Sequence, residues 1–274
     1  MTLELTLTAQ PEVPLEAEAI CPDRLAGLSG SEVAKQPVLL GNRQVELGDF
    51  FKVTGRGSGN GGDGDVRVQG DLSRVKLIAA GMAGGRLVIE GSAGRHLGSA
   101  MSGGEIVVEG DADDWLGAEM SGGRILVKGK AGHGVGSGYR GSRIGMRGGE
   151  IIVHGNAGNE IGNAMRNGLI AIGGDSGDFA GVNMLAGSII VLGRLGIRCG
   201  AGMKRGSIVS LQEAEILPTF TYACTYRPGF LGLYLLHLRA RGLSIDDRAI
   251  EGHYKRWCGD AIELNRGEIL LLAE

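Results

Sequence analysis

The sequence predicts an all-β protein that winds as a single-stranded parallel β-helix. Three features predict it: methionines at a constant spacing, short β-branched runs, and glycines at fixed places around them. Fixed-period repetition on this scale is typical of a solenoid, whose repeats bury their apolar faces only by stacking on one another. The methionine spacings are 19, 19, 26, 19, 19 and 19 residues, at Met82, Met101, Met120, Met146, Met165, Met184 and Met203.

The β-branched runs predict the strands. Runs such as IVV, ILV and IIV are too short for helices and have strand composition. Strand alternation turns two residues of each run to the same side, which predicts two aliphatic columns in the core. With a looser 21-residue unit from Gly64 and a last one from Gly206, we expect about seven to eight coils. The columns are Leu87, Ile106, Ile125, Ile151, Ile170, Ile189 and Ile208, then Ile89, Val108, Val127, Val153, Ile172 and Val191.

Glycines and charges agree with this register. Glycine recurs after each strand and again seven residues later, as at Gly110 and Gly117, where the chain has to turn. The residue before the first core position alternates in sign from coil to coil. Parallel stacking should therefore pair opposite charges on the solvent face, for a gain of about tenths of a kcal/mol each. The charged residues are Arg86, Glu105, Arg124 and Glu150.

Both flanks of the repeats are predicted to act as caps. We expect a β-rich N-terminal cap at 1–54, the β-helix at 55–217 and a helical C-terminal extension at 218–274. The apolar run from Phe230 to Arg241 predicts a helix that Gly242 stops, lying on the rod or its end. A second helix is expected after Ser244, with Asp246 and Asp247 in its first turn, and residues 259–272 are expected to close as a strand pair.

Composition excludes several classes of function. A net charge of -3 is unlike a general nucleic-acid binder or a binder of acidic membranes, which carries a basic excess. The four cysteines lie far apart, which indicates reduced thiols rather than a zinc or iron–sulfur site. No secretory signal or membrane span is visible, so a soluble cytoplasmic protein is expected.

The residues predict no catalytic or metal site. His96, His133 and His154 fall in three different columns of the repeat, so nothing stacks them as ligands. The glycine-rich segment 55–65 lacks the lysine of a phosphate-binding loop and the tandem repetition of calcium-binding repeats, and is read as a flexible lead-in to the first coil. The acidic residues 113, 114 and 119 have no visible partner base or nucleophile and are interpreted as solvated surface.

The best functional lead is a seven-residue insertion before Met146. It carries a tyrosine and two arginines, and two further arginines follow the methionine column in adjacent coils. Stacked like charges are unfavourable unless an anionic group faces them, so an acidic partner surface or the acidic tail of a carrier cofactor is predicted here, with an ordinary solvated loop as the alternative. The candidate partner-binding residues are Tyr139, Arg140, Arg143, Arg147, Arg166 and Lys204.

The repeats have the form G-x-[IV]-x-[IV]-x-G-x-A-G-x-x-[LIV]-G-x-x-M-x-G-G. Together with the tail PTFTYACTYRPGFLGLYLLHL and GDAIELNRGEIL, they resemble the C subunit of formylmethanofuran dehydrogenase over nearly the whole chain. The repeats alone are also similar to the C-terminal β-helix of the glutamate synthase large subunit. The flanks favour the dehydrogenase family, since the synthase module follows a very long catalytic chain. The resemblance and the general preference of such solenoids imply a right-handed coil.

The resemblance implies a non-catalytic scaffold in a cytoplasmic complex that handles formyl groups on a furan-containing one-carbon carrier. Its chemistry and cofactors, including zinc or tungsten/molybdenum, would lie on amidohydrolase-like and formyltransferase-like partner subunits. Archaeal relatives belong to a dehydrogenase. The version in methylotrophic bacteria, a formyltransferase/hydrolase, passes formyl between tetrahydromethanopterin and methanofuran-type carriers and releases formate. An excess of arginine over lysine, 21 to 7, favours this version. The alternative is a glutamate-synthase-like module that structures an amidotransfer enzyme.

Overall fold

The protein is described by a computed structural model that covers residues 2–57 and 64–273. In this part of the chain, most strands join one 13-stranded sheet and four others form a smaller sheet, which confirms the all-β prediction. The strands are β1 (Leu3–Leu7), β2 (Leu15–Glu16), β3 (Pro37–Leu40), β4 (Arg43–Glu46), β5 (Phe51–Thr54), β6 (Asp65–Gln69), β7 (Val75–Lys76), β8 (Arg86–Glu90), β9 (Glu105–Val108), β10 (Arg124–Val127), β11 (Glu150–Val153), β12 (Leu169–Ile172), β13 (Ser188–Val191), β14 (Arg205–Ser210), β15 (Thr221–Tyr226), β16 (Tyr254–Gly259) and β17 (Arg266–Leu272). The α-helices are α1 (Gly30–Ala34), α2 (Gly229–Ala240) and α3 (Asp247–Glu251), and a 3-10 turn spans Leu47–Asp49.

The repeats stack in parallel and in register from β8 to β14. Ile125 lies opposite Ile106 on one side and Ile151 on the other, as the predicted column requires. Neighbouring repeats are also hydrogen-bonded in the segments that connect one strand to the next. There the Gly117 amide donates to the Leu97 carbonyl at 2.8 Å, and the Ser121 amide donates to the Met101 carbonyl at 2.7 Å. Both aliphatic columns and the methionine column are fully buried, so these predictions are confirmed.

The alternating charges pair as predicted. Arg124 lies between two carboxylates, 3.1 Å from Glu105 and 2.9 Å from Glu150, and Arg86 lies 3.1 Å from Glu105. The pKa of Arg124 is raised: partial burial opposes the rise, but the hydrogen bonds that Arg124 donates to Glu150 and Glu105 outweigh this effect. The column therefore fixes the register of four neighbouring strands by charge as well as by packing.

The strands carry a third apolar column that the sequence interpretation missed. The middle residue of each run faces outward and is apolar in all of β8 to β14 and in β17. Helix α2 covers the later part of this column with Leu231, Leu235 and Leu238, so it lies on the stacked strands, the first of the two places predicted for it. The column consists of Val88, Val107, Leu126, Ile152, Ala171, Ile190, Val209 and Leu270.

The N-terminal segment extends the stack. Strand β1 pairs parallel with β6 and antiparallel with β5, and the small sheet has the order β4-β3-β2-β7. The predicted strands around Leu3, residues 38–40 and residues 50–53 are confirmed. Helix α1, which the sequence interpretation did not include, begins at a capping box between Ser29 and Glu32. Most of the glycine-rich lead-in, residues 58–63, lies outside the described residues.

The C-terminal extension differs from the prediction in one place. Helices α2 and α3 are where they were expected, and Asp246 caps α3 by accepting from the Ala249 amide at 2.8 Å. The expected strand pair within 259–272 is wrong, because β17 pairs with the earlier strand β16. Residues 261–265 form a turn instead, since Asp260 accepts the amides of Ile262 and Glu263. No helix in the described ranges is long and apolar enough to cross a membrane.

Candidate partner-binding site

The insertion leaves the stack and returns to it at neighbouring points. The amide of Gly138 donates to the Asn163 carbonyl at 3.1 Å, and that of Gly145 donates to the Ala164 carbonyl at 2.8 Å. Between them, residues 139–144 loop outward. Because both ends are bonded to the next repeat, the loop is added to its own repeat without displacing Met146 from its buried column.

Tyr139 anchors this loop on the surface of the earlier repeats. Its amide donates to Glu119 Oε1 at 3.1 Å, its ring centroid lies 5.1 Å from that of Trp115, and its hydroxyl lies 2.9 Å from His96 Nδ1. Burial raises the pKa of the Tyr139 hydroxyl. Burial, with the cations Lys76 and Arg95, lowers the pKa of His96. Both shifts favour the uncharged forms of the two side chains, which share this hydrogen bond.

Trp115 and His96 belong to a corner that the sequence interpretation missed. At this corner the residues adopt positive φ although only one repeat, at Gly134, has glycine there. The side chains at this corner form a row along the stacked repeats, and several of them are aromatic. Within the row, the guanidinium of Arg198 lies 5.4 Å from the ring centroid of Phe179. No regular residue type marks the position, so the sequence gives little signal for it. The corner residues with φ from 59° to 65° are Leu77, His96, Trp115, Glu160, Phe179 and Arg198.

A polar cavity of about 570 Å³ opens beside Tyr139. Arg140 is exposed at this cavity, and no ion pair to another described residue neutralises it. Two of the other polar side chains already have partners: Asn159 Oδ1 accepts the Asp178 amide, and Asn163 Nδ2 lies 3.3 Å from Glu160 Oε2. The cavity can accept a polar or anionic surface, but it contains no paired nucleophile and base. Its lining is Trp115, His133, Gly134, Gly138, Tyr139, Arg140, Gly141, Ser142, Asn159, Glu160, Asn163 and Asn183.

The remaining predicted cations fall into two groups. Arg147 and Arg166 are exposed and occupy equivalent positions one repeat apart, because their amides donate to the carbonyls of Met120 and Met146. Neither they nor the exposed Arg143 forms an ion pair with any residue in 2–57 or 64–273. Lys204 differs, because its Nζ lies 3.7 Å from a carboxylate oxygen of Glu263. Among these four cations, only Lys204 has a counter-charge within the described part of the chain.

The histidines and acidic residues that the sequence offered as candidates for catalysis or metal binding have structural contacts. His133 Nδ1 accepts the Asn159 amide at 2.9 Å, and His154 Nε2 lies 3.2 Å from the Arg241 carbonyl. Asp113 and Asp114 both form ion pairs with Arg95, and Asp114 also accepts a hydrogen bond from the His133 amide. These two carboxylates therefore have protein partners, whereas the sequence interpretation expected them to be solvated. The described residues contain no group of three His, Cys, Asp or Glu side chains placed to hold a metal ion.

The Tyr139 anchor can be tested by two substitutions. Tyr139→Phe should lower the free energy of unfolding by about 1 kcal/mol, because the hydrogen bond with His96 Nδ1 is lost while the rings still pack. Tyr139→Ala should cost more and should speed tryptic cleavage at Arg140 and Arg143, since the loop is released. Urea unfolding and timed proteolysis measure these effects. Tyr222→Phe, which removes a hydroxyl bonded to Thr225 on an exposed strand, should change little. Equal cleavage rates for wild type and Tyr139→Ala would contradict the anchor.

Comparisons with known proteins agree on one family. Residues 76–221 match a family model described as the GXGXG motif. The chain is 41% identical over 86 residues to the C subunit of a molybdenum-containing formylmethanofuran dehydrogenase from Methanosarcina barkeri. It is 44% identical over 95 residues to the C subunit of a tungsten-containing one from Methanothermobacter thermautotrophicus. These matches cover 31% and 35% of this chain, and they span 29% and 35% of the relatives' own lengths.

A solved structure matches the chain from end to end. It is a chain of the formyltransferase/hydrolase complex (FhcABCD) from Methylorubrum extorquens, crystallised in complex with methylofuran, and the TM-score is 0.88 at 31% sequence identity. The match covers 99% of this chain and 100% of that one. With the repeats, both flanks and the sequence relatives in agreement, this chain belongs to the family of formylmethanofuran dehydrogenase C subunits.

Proposed function

We propose that this chain is a non-catalytic structural subunit of a formyltransferase/hydrolase complex in tetrahydromethanopterin-linked one-carbon metabolism. It would hold together the subunits that transfer formyl to a furan carrier and release formate. The observation that carries the proposal is the end-to-end match to a chain of such a complex. The contacts of His96, His133, Asp113 and Asp114 support it, because these residues, which belong to types common in active sites, bind neighbouring repeats instead.

The architecture proposed for this scaffold is a right-handed single-stranded parallel β-helix of about seven to eight coils. The cap at 1–54, the β-helix at 55–217 and the extension at 218–274 would be its parts. The parallel, in-register strands support this winding. A cluster of buried residues runs from Leu3 to Leu271, so the proposed parts share one core and should fold together.

The hydrolase version of the complex is favoured over the dehydrogenase. The solved structure that matches the chain from end to end belongs to a formyltransferase/hydrolase complex, and the excess of arginine over lysine supports the same version. The partners would be amidohydrolase-like and formyltransferase-like chains in the cytoplasm. These chains would hold the furan carrier and the zinc; in a dehydrogenase, partners would hold tungsten or molybdenum instead.

The alternative is a glutamate-synthase-like module in amidotransfer. The match of the GXGXG motif to residues 76–221 is compatible with it, because that region contains mainly the repeats. A pull-down from the native cell, followed by mass spectrometry, distinguishes the two. Recovery of amidohydrolase-like and formyltransferase-like chains supports the scaffold, and recovery of amidotransferase chains supports the alternative. Formyl transfer or formate release by the isolated chain would refute a non-catalytic role.

The cationic residues around the insertion are proposed to face an acidic surface of a partner subunit or the acidic tail of the carrier. Replacing Arg140, Arg143, Arg147 and Arg166 together by alanine should weaken co-purification or turnover of the complex by about tenfold, since several exposed charge contacts are lost. The measurements are partner recovery and turnover at two salt concentrations, where the wild type should be the more salt-sensitive.

A matched control for this variant removes exposed cations from the N-terminal segment, Arg43→Ala with Lys52→Ala, and should leave both measurements unchanged. Unchanged recovery and turnover in the fourfold arginine variant would rule out this surface as a contact.

A further inference from the structure

Helix α2 is apolar on both of its sides. Its inner side, with Leu231, Leu235 and Leu238, is buried on the sheet. Arg239 is its one Asp, Glu, Lys or Arg residue, and it is bound to Asp247 at 2.8 Å and to the Ile245 carbonyl. A helix that is apolar all round is typical of a buried helix, yet here the other side faces outward. The outer face of α2 is formed by the apolar residues Phe230, Leu233, Tyr234 and Leu236, with 40%, 73%, 37% and 50% of each residue exposed, and among them lies the exposed His237.

The outer face is held rigidly by contacts at the end of the helix. His237 Nε2 lies 2.6 Å from Glu150 Oε1 on β11, and His154 Nε2 lies 3.2 Å from the carbonyl of Arg241, directly after α2. Gly242 then turns the chain with a φ of 93°. A helix fixed in this way loses little further conformational entropy on binding, so its apolar surface is available for association.

We propose that the outer face of α2 docks into an apolar groove on another subunit of the same complex. This inference rests on the proposed function and adds which surface of the scaffold carries a partner. Phe230, Leu233 and Tyr234 have the spacing i, i+3, i+4 by which helices are received in grooves. The match to the chain of the formyltransferase/hydrolase complex covers 99% of this protein. The unmatched part is shorter than the 12 residues of α2, so the helix is included in the match.

The shape of this surface favours a different subunit over a second copy. Helix α2 is a ridge on the outward apolar column of the sheet, and 12 residues give a length of about 18 Å. Two such ridges packed on each other would bury much less than the roughly 800 Å² per partner of a stable interface. A grooved partner can also reach the uncovered start of the column, where Val88 and Leu126 are partly exposed.

The test removes the apolar character of the outer face without adding charge. The double variant Leu233→Gln with Leu236→Gln changes two exposed positions to another good helix former, so the fold should be retained. Tagged full-length chains are expressed in the native cell, and the recovered subunits are quantified by mass spectrometry. Ile262→Gln with Leu264→Gln is the matched control, since these residues are 78% and 52% exposed in the turn before β17. Circular dichroism and thermal unfolding check that both variants fold.

We expect the α2 variant to recover its partner at least about tenfold less than the wild type and the control to recover it fully. Wild-type recovery by the α2 variant overturns the docking surface and leaves the proposed function intact. Equal loss from both variants also overturns it. If the wild type recovers no other subunit, the proposed function fails and the docking proposal with it.

Two measurements on the full chain alone test other occupants of the outer face of α2. Light scattering would detect a dimer that forms with concentration and that the α2 variant lacks. Co-sedimentation with vesicles of phosphatidylcholine and phosphatidylglycerol would detect binding to lipid that the variant lacks. Either result would assign the outer face to a second copy or to a membrane and overturn the proposal. A monomer that does not bind vesicles is the expected result.

Discussion

Replacing Gly123 by alanine should lower the free energy of unfolding by about 3 kcal/mol. Two costs add at this position. Its φ of 82° is unfavourable for any residue with a Cβ, by about 1–2 kcal/mol. A Cβ would also lie 2.6 Å from the position of Met101 Cε and 2.9 Å from the carbonyl oxygen of Gly104, and such overpacking costs about 1–3 kcal/mol. Urea unfolding followed by circular dichroism measures the loss.

Two other glycines separate these costs. Gly141 has a φ of 90°, but apart from Gly141 and its two chain neighbours no described residue has an atom within 4 Å of the place that a Cβ would take, so Gly141→Ala should show only the conformational cost. Gly229 has neither a positive φ nor a close neighbour, so Gly229→Ala should be neutral or slightly stabilising. If Gly123→Ala lowers the free energy of unfolding no more than Gly141→Ala does, the methionine column can shift to accommodate the added methyl group.

The same position explains why the fold could be predicted from the sequence. Glycine begins every plain repeat, at residues 85, 104, 123, 149, 168 and 187, because each repeat stacks on a similar neighbour and meets the same steric constraint there. Columns such as Ile106, Ile125 and Ile151 are uniform for the same reason. Constant spacing thus reports both the stacking and the register.

The outward column was visible in the sequence but was not interpreted. Val107, Leu126 and Ile152 stand between the core residues, so the runs are continuously apolar rather than alternating. Such runs are typical of strands that are covered on both sides. This signal, together with the all-apolar helix α2, would have predicted that the helix lies along this face.

The candidate site was less predictable, because it depends on contacts between distant residues. The extra length before Met146 indicated a loop, but the position of Tyr139 depends on His96, which is 43 residues earlier in the chain. Likewise, the pairing of Lys204 with Glu263 requires the turn before β17 to fold back on the last repeat. Repeat columns carry no information on such contacts, since each occurs once.

The two packed regions of the molecule should respond differently to substitution. The inner core encloses the isoleucine and methionine columns, whereas α2 and the outward column form a separate buried cluster. A substitution at Gly123 lies within the stack and should lower the stability of the whole chain. Damage beneath α2 should first release the helix from a stack that remains folded, because none of the inner columns depends on α2 for its burial.

Leu235→Ala tests this difference and should cost about 3 kcal/mol, since Leu235 is fully buried between α2 and the sheet. Hydrogen exchange should quicken most in α2 and α3, with β9 and β10 still protected. Leu233→Ala is the matched control on the same helix and should cost less than about 0.5 kcal/mol, because its side chain faces outward. Similar costs for the two variants would contradict the assigned faces of α2. Equal loss of protection in β9 and α2 would show that the stack and the helix unfold as one unit.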